Sequence, residues 1–324
     1  MKPTQSFLTA PLIADSGGEL PAGVIAASNE SRFQTANYNE PLTAYTVGWT
    51  DPEDVPALLE SIAPAVDAPR RFSFKKAVNS EAFLSEDDDV RGIGASFKRV
   101  EFTGSEVEAK TLNKGLTVRV DHDEDAIGGD WQERFTGFLL QRLARNELRR
   151  NIALLIAGAT NAAKVWSTST NPDKDLRDAL RLGKNAGGIR PNVMLWGGAA
   201  WDLRMDAYEG QDTPYAGRAA GMSQDDLARK LMIQRNIVSE AVYQSGATSK
   251  ADIVGSIVLA YYARSGMMKD EPSNIKRFVT PTDAGRNKVY VREHEKFTDI
   301  TVEHYSRSYI TNSLGIRQIT VSAS

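Results

Sequence analysis

No cysteine occurs in the 324 residues. That excludes a disulfide framework and every thiolate metal or redox site, and it fits a chain that assembles in a reducing cytoplasm. No apolar run reaches membrane length, and residues 1–23 lack a basic start followed by an apolar stretch, so neither a helical span nor a signal peptide is read and no membrane partner is expected. An excess of one charge is missing too. Lys and Arg number 39 against 42 for Asp and Glu, net −3, so the chain has no general nucleic-acid footprint and any DNA contact must be local.

Histidine is scarce, at three, and the motifs that usually carry chemistry are incomplete. His294-Glu295 opens a zinc-protease pattern, but Thr298 stands where the second His must fall one turn on. Asp121-His122-Asp123-Glu124-Asp125 offers oxygen and imidazole ligands without the glycine and distal Glu of a calcium loop, and reads as a solvated acidic turn. Gly92-Ile93-Gly94 has Phe97 in place of a third glycine. Gly221-Met222-Ser223-Gln224-Asp225 lacks the second glycine of a nucleophile elbow, so Ser223 is expected to cap a helix. No phosphate-binding Gly-Lys-Ser/Thr occurs. No catalytic residue, cofactor or metal site is expected.

What the chain does have is ordinary globular composition, 41% hydrophobic and 25% charged, with an unusual organisation. Residues 130–157 contain no proline and mostly helix formers, which predicts one helix roughly 40 Å long at 1.5 Å per residue. Gly128-Gly129 precede it, Asp130 is placed to cap it, and Glu133 completes the pattern of a capping box. Leu140, Ala144, Leu148, Ile152 and Leu155 share the face expected to meet a sheet. A second face runs from Trp131, Phe135 and Phe138 to Arg142, Arg145 and Arg149, changing from aromatic to cationic; the simplest account of the Arg row is a solvated face.

Before this helix, residues 1–48 are rich in Ser, Thr, Ala, Asn, Pro and Gly without periodicity and read as an extended arm that needs a partner to order it. A short helix is expected from Asp51. Arg70, Arg71, Lys75 and Lys76 then lead, through an alternating stretch that reads as a strand over residues 71–77, into the acidic run Glu86, Asp87, Asp88 and Asp89. Strands follow at residues 97–103, 107–112 and 116–121, with a turn at Asn113-Lys114-Gly115. After the long helix, residues 173–185 form a helix closed by Gly187-Gly188, residues 192–196 a buried strand, and residues 237–243 and 253–262 further strands, which together make an α/β layer domain. Strand character at 289–292, 300–305 and 316–321 is expected to return to the sheet that precedes the long helix.

This order resembles the major capsid proteins of tailed bacteriophages of the Hong Kong phage type. The resemblance rests on Ile62-Ala63-Pro64-Ala65-Val66 ahead of Arg71-Phe72-Ser73-Phe74-Lys75, on Phe97-Lys98-Arg99-Val100-Glu101-Phe102, and on Gly115-Leu116-Thr117-Val118-Arg119-Val120-Asp121 before the long helix. It continues through Gly187-Gly188-Ile189-Arg190-Pro191-Asn192-Val193-Met194-Leu195 and Ala241-Val242-Tyr243 near residues 253–260. It implies an α+β phage major capsid fold: N-terminal arm 1–50, short helix and linker 51–69, extended loop region 70–112, peripheral domain with spine helix 113–166, α/β axial domain 167–276, and return strands of the peripheral domain 277–324.

The implied function is self-assembly, as hexamers and pentamers, into the icosahedral head shell around double-stranded DNA, formed in the host cytoplasm and ending in the virion. Implied partners are further copies of the chain, a separate scaffolding protein (too few residues precede the arm for a built-in one), a portal, a decoration protein, and packaged DNA held without sequence specificity. Arg70, Arg71, Lys75, Lys76, Glu86, Asp87, Asp88, Asp89, Arg142, Arg145 and Arg149 are the expected intersubunit or DNA-facing residues. An encapsulin-like nanocompartment shell shares the same expected fold. A metal-dependent hydrolase using Asp121, His122 and Asp123 is the alternative of a different class.

Overall fold

The computed structural model describes residues 37–51, 54–76, 90–97, 105–123, 130–246, 248–264, 273–282 and 285–323. Helix α1, Glu40–Gly48, begins where the Asn39 side chain accepts from the Leu42 amide at 2.9 Å, with a proline in the first turn. The sequence places residues 40–48 in an irregular arm; they are helical because cap and proline fix the start, and because Leu42 packs with Leu139, Leu140 and Leu143 of the long helix. Helix α2, Val55–Ile62, buries Val55, Leu59 and Ile62. Strands β1, Ala65–Asp67, β2, Arg71–Lys76, β3, Ser105–Lys110, and β4, Leu112–Asp121, follow.

The expected turn at Asn113-Lys114-Gly115 lies inside β4, and Phe97, the described part of the expected strand 97–103, is not in a strand. The glycine is there for close approach: a Cβ on Gly115 would stand 2.8 Å from the carbonyl oxygen of Val302.

The long helix α3 spans Trp131–Gly158. Asp130 occupies the N-cap, but its side chain makes no capping hydrogen bond, so the capping box is not formed. The predicted core face is correct: Leu148 and Leu155 are fully buried and Ile152 nearly so. The helix divides its packing. Leu139, Leu140 and Leu143 meet Val289, Ile300 and Val302, whereas Leu148, Ile152 and Leu155 join Leu59, Leu195, Leu259 and Tyr261.

Two sheets flank this division. In the first, β13, Phe297–Ile310, is central; β4 pairs along one side, and β12, Asn287–Glu293, and β11, Ile275–Thr280, take successive halves of the other, with β1 beyond β11. The second is built from β5, Thr160–Val165, β6, Val193–Gly197, β7, Arg235–Ser239, β10, Ile257–Tyr261, and β14, Arg317–Ser322, in the order β5-β14-β10-β6-β7. Strands 289–292 and 300–305 join the sheet of β4 as expected. Strand 316–321 does not: β14 lies between β5 and β10 in the α/β sheet, because Ile319 and Val321 pack with Trp166, Met194 and Trp196. Period-two alternation marks a strand but not which sheet it enters.

One face of the second sheet carries helices α4, Pro172–Gly187, α5, Gly198–Glu209, and α7, Gln224–Leu231, while α6, Pro214–Ala220, packs on α5 through Tyr208. The predicted stops and caps are present. Gly188 closes α4 at φ 74°, and the Ser223 hydroxyl accepts from the Asp226 amide at 3.2 Å. The expected strand 237–243 is divided into β7 and β8, Val242–Gln244, which forms a small hairpin with β9, Lys250–Asp252, and the expected strand 253–262 begins only at Ile257.

Candidate functional site

Strands β2 and β3 form a two-stranded ribbon separate from both sheets. Alternation along it turns Phe72, Phe74, Val107 and Ala109 toward Phe278 and Tyr309, with Phe72 and Phe278 ring centroids 4.5 Å apart, so the ribbon is anchored on the first sheet. Its other positions face solvent, including Arg71, Lys75, Lys76, Glu106 and Glu108. Lys75 lies opposite Glu106 across the ladder, and the Arg70 guanidinium sits 4.5 Å over the Tyr305 ring. Arg71 and Lys75 therefore share the ribbon's outer face, Lys76 takes the parity of the aromatic positions, and Arg70 stands just before β2; Glu86, Asp87, Asp88 and Asp89 lie outside the described residues.

Arg142 and Arg149 are exposed on the outer face of α3 and Arg145 is half-buried. Arg149 stacks 4.1 Å over Tyr243 of β8, so part of this row is used within the subunit, and it is not brought to the ribbon. Phe138, at the aromatic end of the same face, is 58% exposed.

The strongest electrostatic feature is one that no sequence motif marks. Glu147 is buried in the middle of α3 and accepts from Lys114 Nζ of β4 at 3.3 Å, from the Ser306 hydroxyl of β13, and from Arg277 of β11 at 3.1 Å; His304 Nε2 lies 3.2 Å away. Arg277 continues to Glu60 of α2 at 2.6 Å. Burial pushes the Glu147 carboxyl up, but the hydrogen bond and charge of His304, with Lys114 and Arg277, outweigh it and hold the carboxyl well below the usual range. Burial likewise draws the Lys114 ammonium down against the pull of Glu147. A cavity of about 460 Å³ opens beside this group, lined among others by Trp49, Leu140, Glu60 and Arg286. The sequence held a signal: Glu147 stands four residues after Leu143 and three after Ala144, on the face otherwise assigned to the core.

A second cluster holds the helix layer of the α/β domain. Fully buried Asp173 receives Arg204 at 2.9 Å and Lys230 at 2.6 Å, and the Lys230 ammonium also reaches the Tyr215 hydroxyl at 2.8 Å. Burial raises the Asp173 carboxyl, and the hydrogen bonds and charges of Arg204 and Lys230 more than reverse it. Both clusters surround a buried carboxylate with cations and join elements remote in sequence, which suits structural pinning.

Of the acidic turn at residues 121–125, Glu124 and Asp125 lie outside the described residues. His122 Nε2 lies 2.8 Å from the Thr298 hydroxyl, Asp121 accepts from the Asp123 amide at 3.0 Å, and among the described residues no group of three His, Asp or Glu side chains is placed to hold a metal ion.

Ribbon, dividing helix and two interleaved sheets define an α+β fold, the fold class expected from the sequence. The likeness to a particular solved structure is broad: a phage-related protein of Bordetella bronchiseptica RB50 superposes with a TM-score of 0.68 at 17% identity, covering 89% of this chain and 99% of that one. This shows a shared fold. A putative capsid protein of an Escherichia coli CFT073 prophage (TM-score 0.47, 10% identity, 88% and 99% covered) and the capsid of cyanophage P-SCSP1u (0.48, 12%, 81% and 87%) are more distant. No family model matches the chain. No curated protein matches it.

Proposed function

We propose that this chain is the major capsid protein of a tailed bacteriophage, a subunit that self-assembles into the icosahedral head shell enclosing double-stranded DNA. The observation that carries the reading is the shared fold with the phage-related Bordetella protein over nearly the whole of both chains. The ribbon supports it physically. A two-stranded ribbon is marginal by itself, and β2–β3 packs on the first sheet along its aromatic face while Arg71, Lys75, Glu106 and Glu108 are exposed among the described residues. Facing a neighbour is the use that a shell subunit has for such a surface.

On this reading the partners are further copies of the chain in hexamers and pentamers, a separate scaffolding protein, a portal, a decoration protein and packaged DNA. The subunit has a structural role without catalysis, is assembled in the host cytoplasm and resides in the virion. Arg70, Arg71, Lys75 and Lys76 serve contacts between subunits, and the outward part of the Arg142, Arg145 and Arg149 row serves contacts between subunits or with DNA. The test is electron microscopy of the purified protein, alone and co-expressed with neighbouring phage genes. Closed shells or ring-shaped capsomers are expected, and a dispersed monomer at high concentration under all these conditions would overturn the reading.

A further inference from the structure

The second sheet ends in a strand that is bare on both sides. All six residues of β5, Thr160–Val165, are exposed, so among the described residues neither face is covered and β5 pairs with β14 alone. Its ladder defines which backbone groups are used. The Thr160 amide donates to the Ile316 carbonyl and the Trp166 amide to the Ser322 carbonyl, in parallel pairing, so even-numbered residues turn toward β14. Asn161, Ala163 and Val165 therefore point their amides and carbonyls away from the sheet.

Edges of this kind are normally blunted by proline, by a bulge, by charge or by a covering element. Here the ladder runs unbroken over six residues without proline or glycine. The one charged side chain, Lys164, is drawn onto Asp175 of α4 at 3.0 Å, which neutralises it. Ala162 and Ala163 at the centre leave the backbone approachable. The edge is thus uncharged, small and open, and a chain of the same net charge meets no repulsion there.

We propose that the outer edge of β5 is an assembly surface that pairs, main chain to main chain, with an extended segment of a second copy of this protein. This rests on the shell reading and adds to it a specific adhesive strand. Self-pairing is chemically compatible. In an antiparallel arrangement centred on Ala163, Asn161 would face Val165 and Lys164 would face Ala162, so no like charges meet.

The test compares two substitutions at one position. Ala163→Pro removes an outward donor and leaves the bonds to β14 in place, whereas Ala163→Val keeps that donor. We expect A163P to keep the melting temperature of the isolated subunit while cutting assembly yield at least tenfold, A163V to assemble as the unaltered protein, and the amides of residues 161, 163 and 165 to exchange at least tenfold more slowly in particles than in free subunits. Normal assembly of A163P, or equal exchange of these amides in both states, overturns the proposal while leaving the shell reading intact. If the unaltered protein forms no particles and sediments as a monomer at every concentration, both fall.

Discussion

At the scale of single residues, Glu147 is a buried carboxylate whose desolvation is outweighed by His304, Lys114 and Arg277. Truncating one member of a buried, paired set costs about 3–5 kcal/mol because the remaining charges stay buried without it. Glu147→Ala is expected to lose that much in denaturant unfolding of the isolated subunit at neutral pH. The pH dependence has a definite sign. The carboxyl is held low in the folded state, so its stabilisation is present above the ordinary carboxylate range and is lost as pH falls through the depressed folded value. Glu147→Gln should therefore be less stable at neutral pH and lack this part of the acid-induced loss, measured as a flatter curve of stability against pH. An unchanged acid limb in the variant would show that other carboxyls control it. Glu147 was legible only as a position, since its spacing put it on the core face, while its partners Lys114, Arg277 and His304 come from three strands whose registers no local pattern specifies.

At the scale of elements, α3 was readable nearly to the residue, because a core stripe at helical spacing over about four turns, from Leu140 to Leu155, in a proline-free run is a strong signal. Its cap was not: Asp130 has the right side chain but forms no capping bond. Helix α1 was missed for lack of any apolar period, its hydrophobic side being little more than Leu42. Alternation marks β14 as a strand without marking its sheet, and the Thr-Asn-Ala-Ala-Lys-Val of β5 has no apolar alternation to read. The Arg row belongs to this scale as well. Arg149→Ala removes a stack on Tyr243 worth about 0.5–1 kcal/mol at an exposed site, so the subunit should lose no more than that in thermal or denaturant unfolding. A much larger drop in assembly or DNA packaging would assign the exposed guanidinium to contacts beyond the subunit, and none would return it to the solvated face.

At the scale of the whole molecule, the ribbon β2–β3 is expected to differ most between free and assembled protein. Amides of residues 71–76 should exchange faster in free subunits than in particles, and the difference should shrink as salt rises, because charged contacts are screened beyond about 8 Å at 0.15 M. Equal protection in the two states would mean that the ribbon is complete on its own subunit. The interleaving of the sheets bears on synthesis. The centre of one sheet, β13, and an interior strand of the other, β14, both come from residues 297–322, so neither sheet can close until that stretch has left the ribosome. A chain ending at residue 310 lacks β14 and should accumulate as insoluble protein on fractionation of expressing cells, and on the shell reading a nascent chain cannot join its neighbours until it is translated through residue 322. Premature products would then be excluded from growing particles by the order of translation itself, without a separate inspection step.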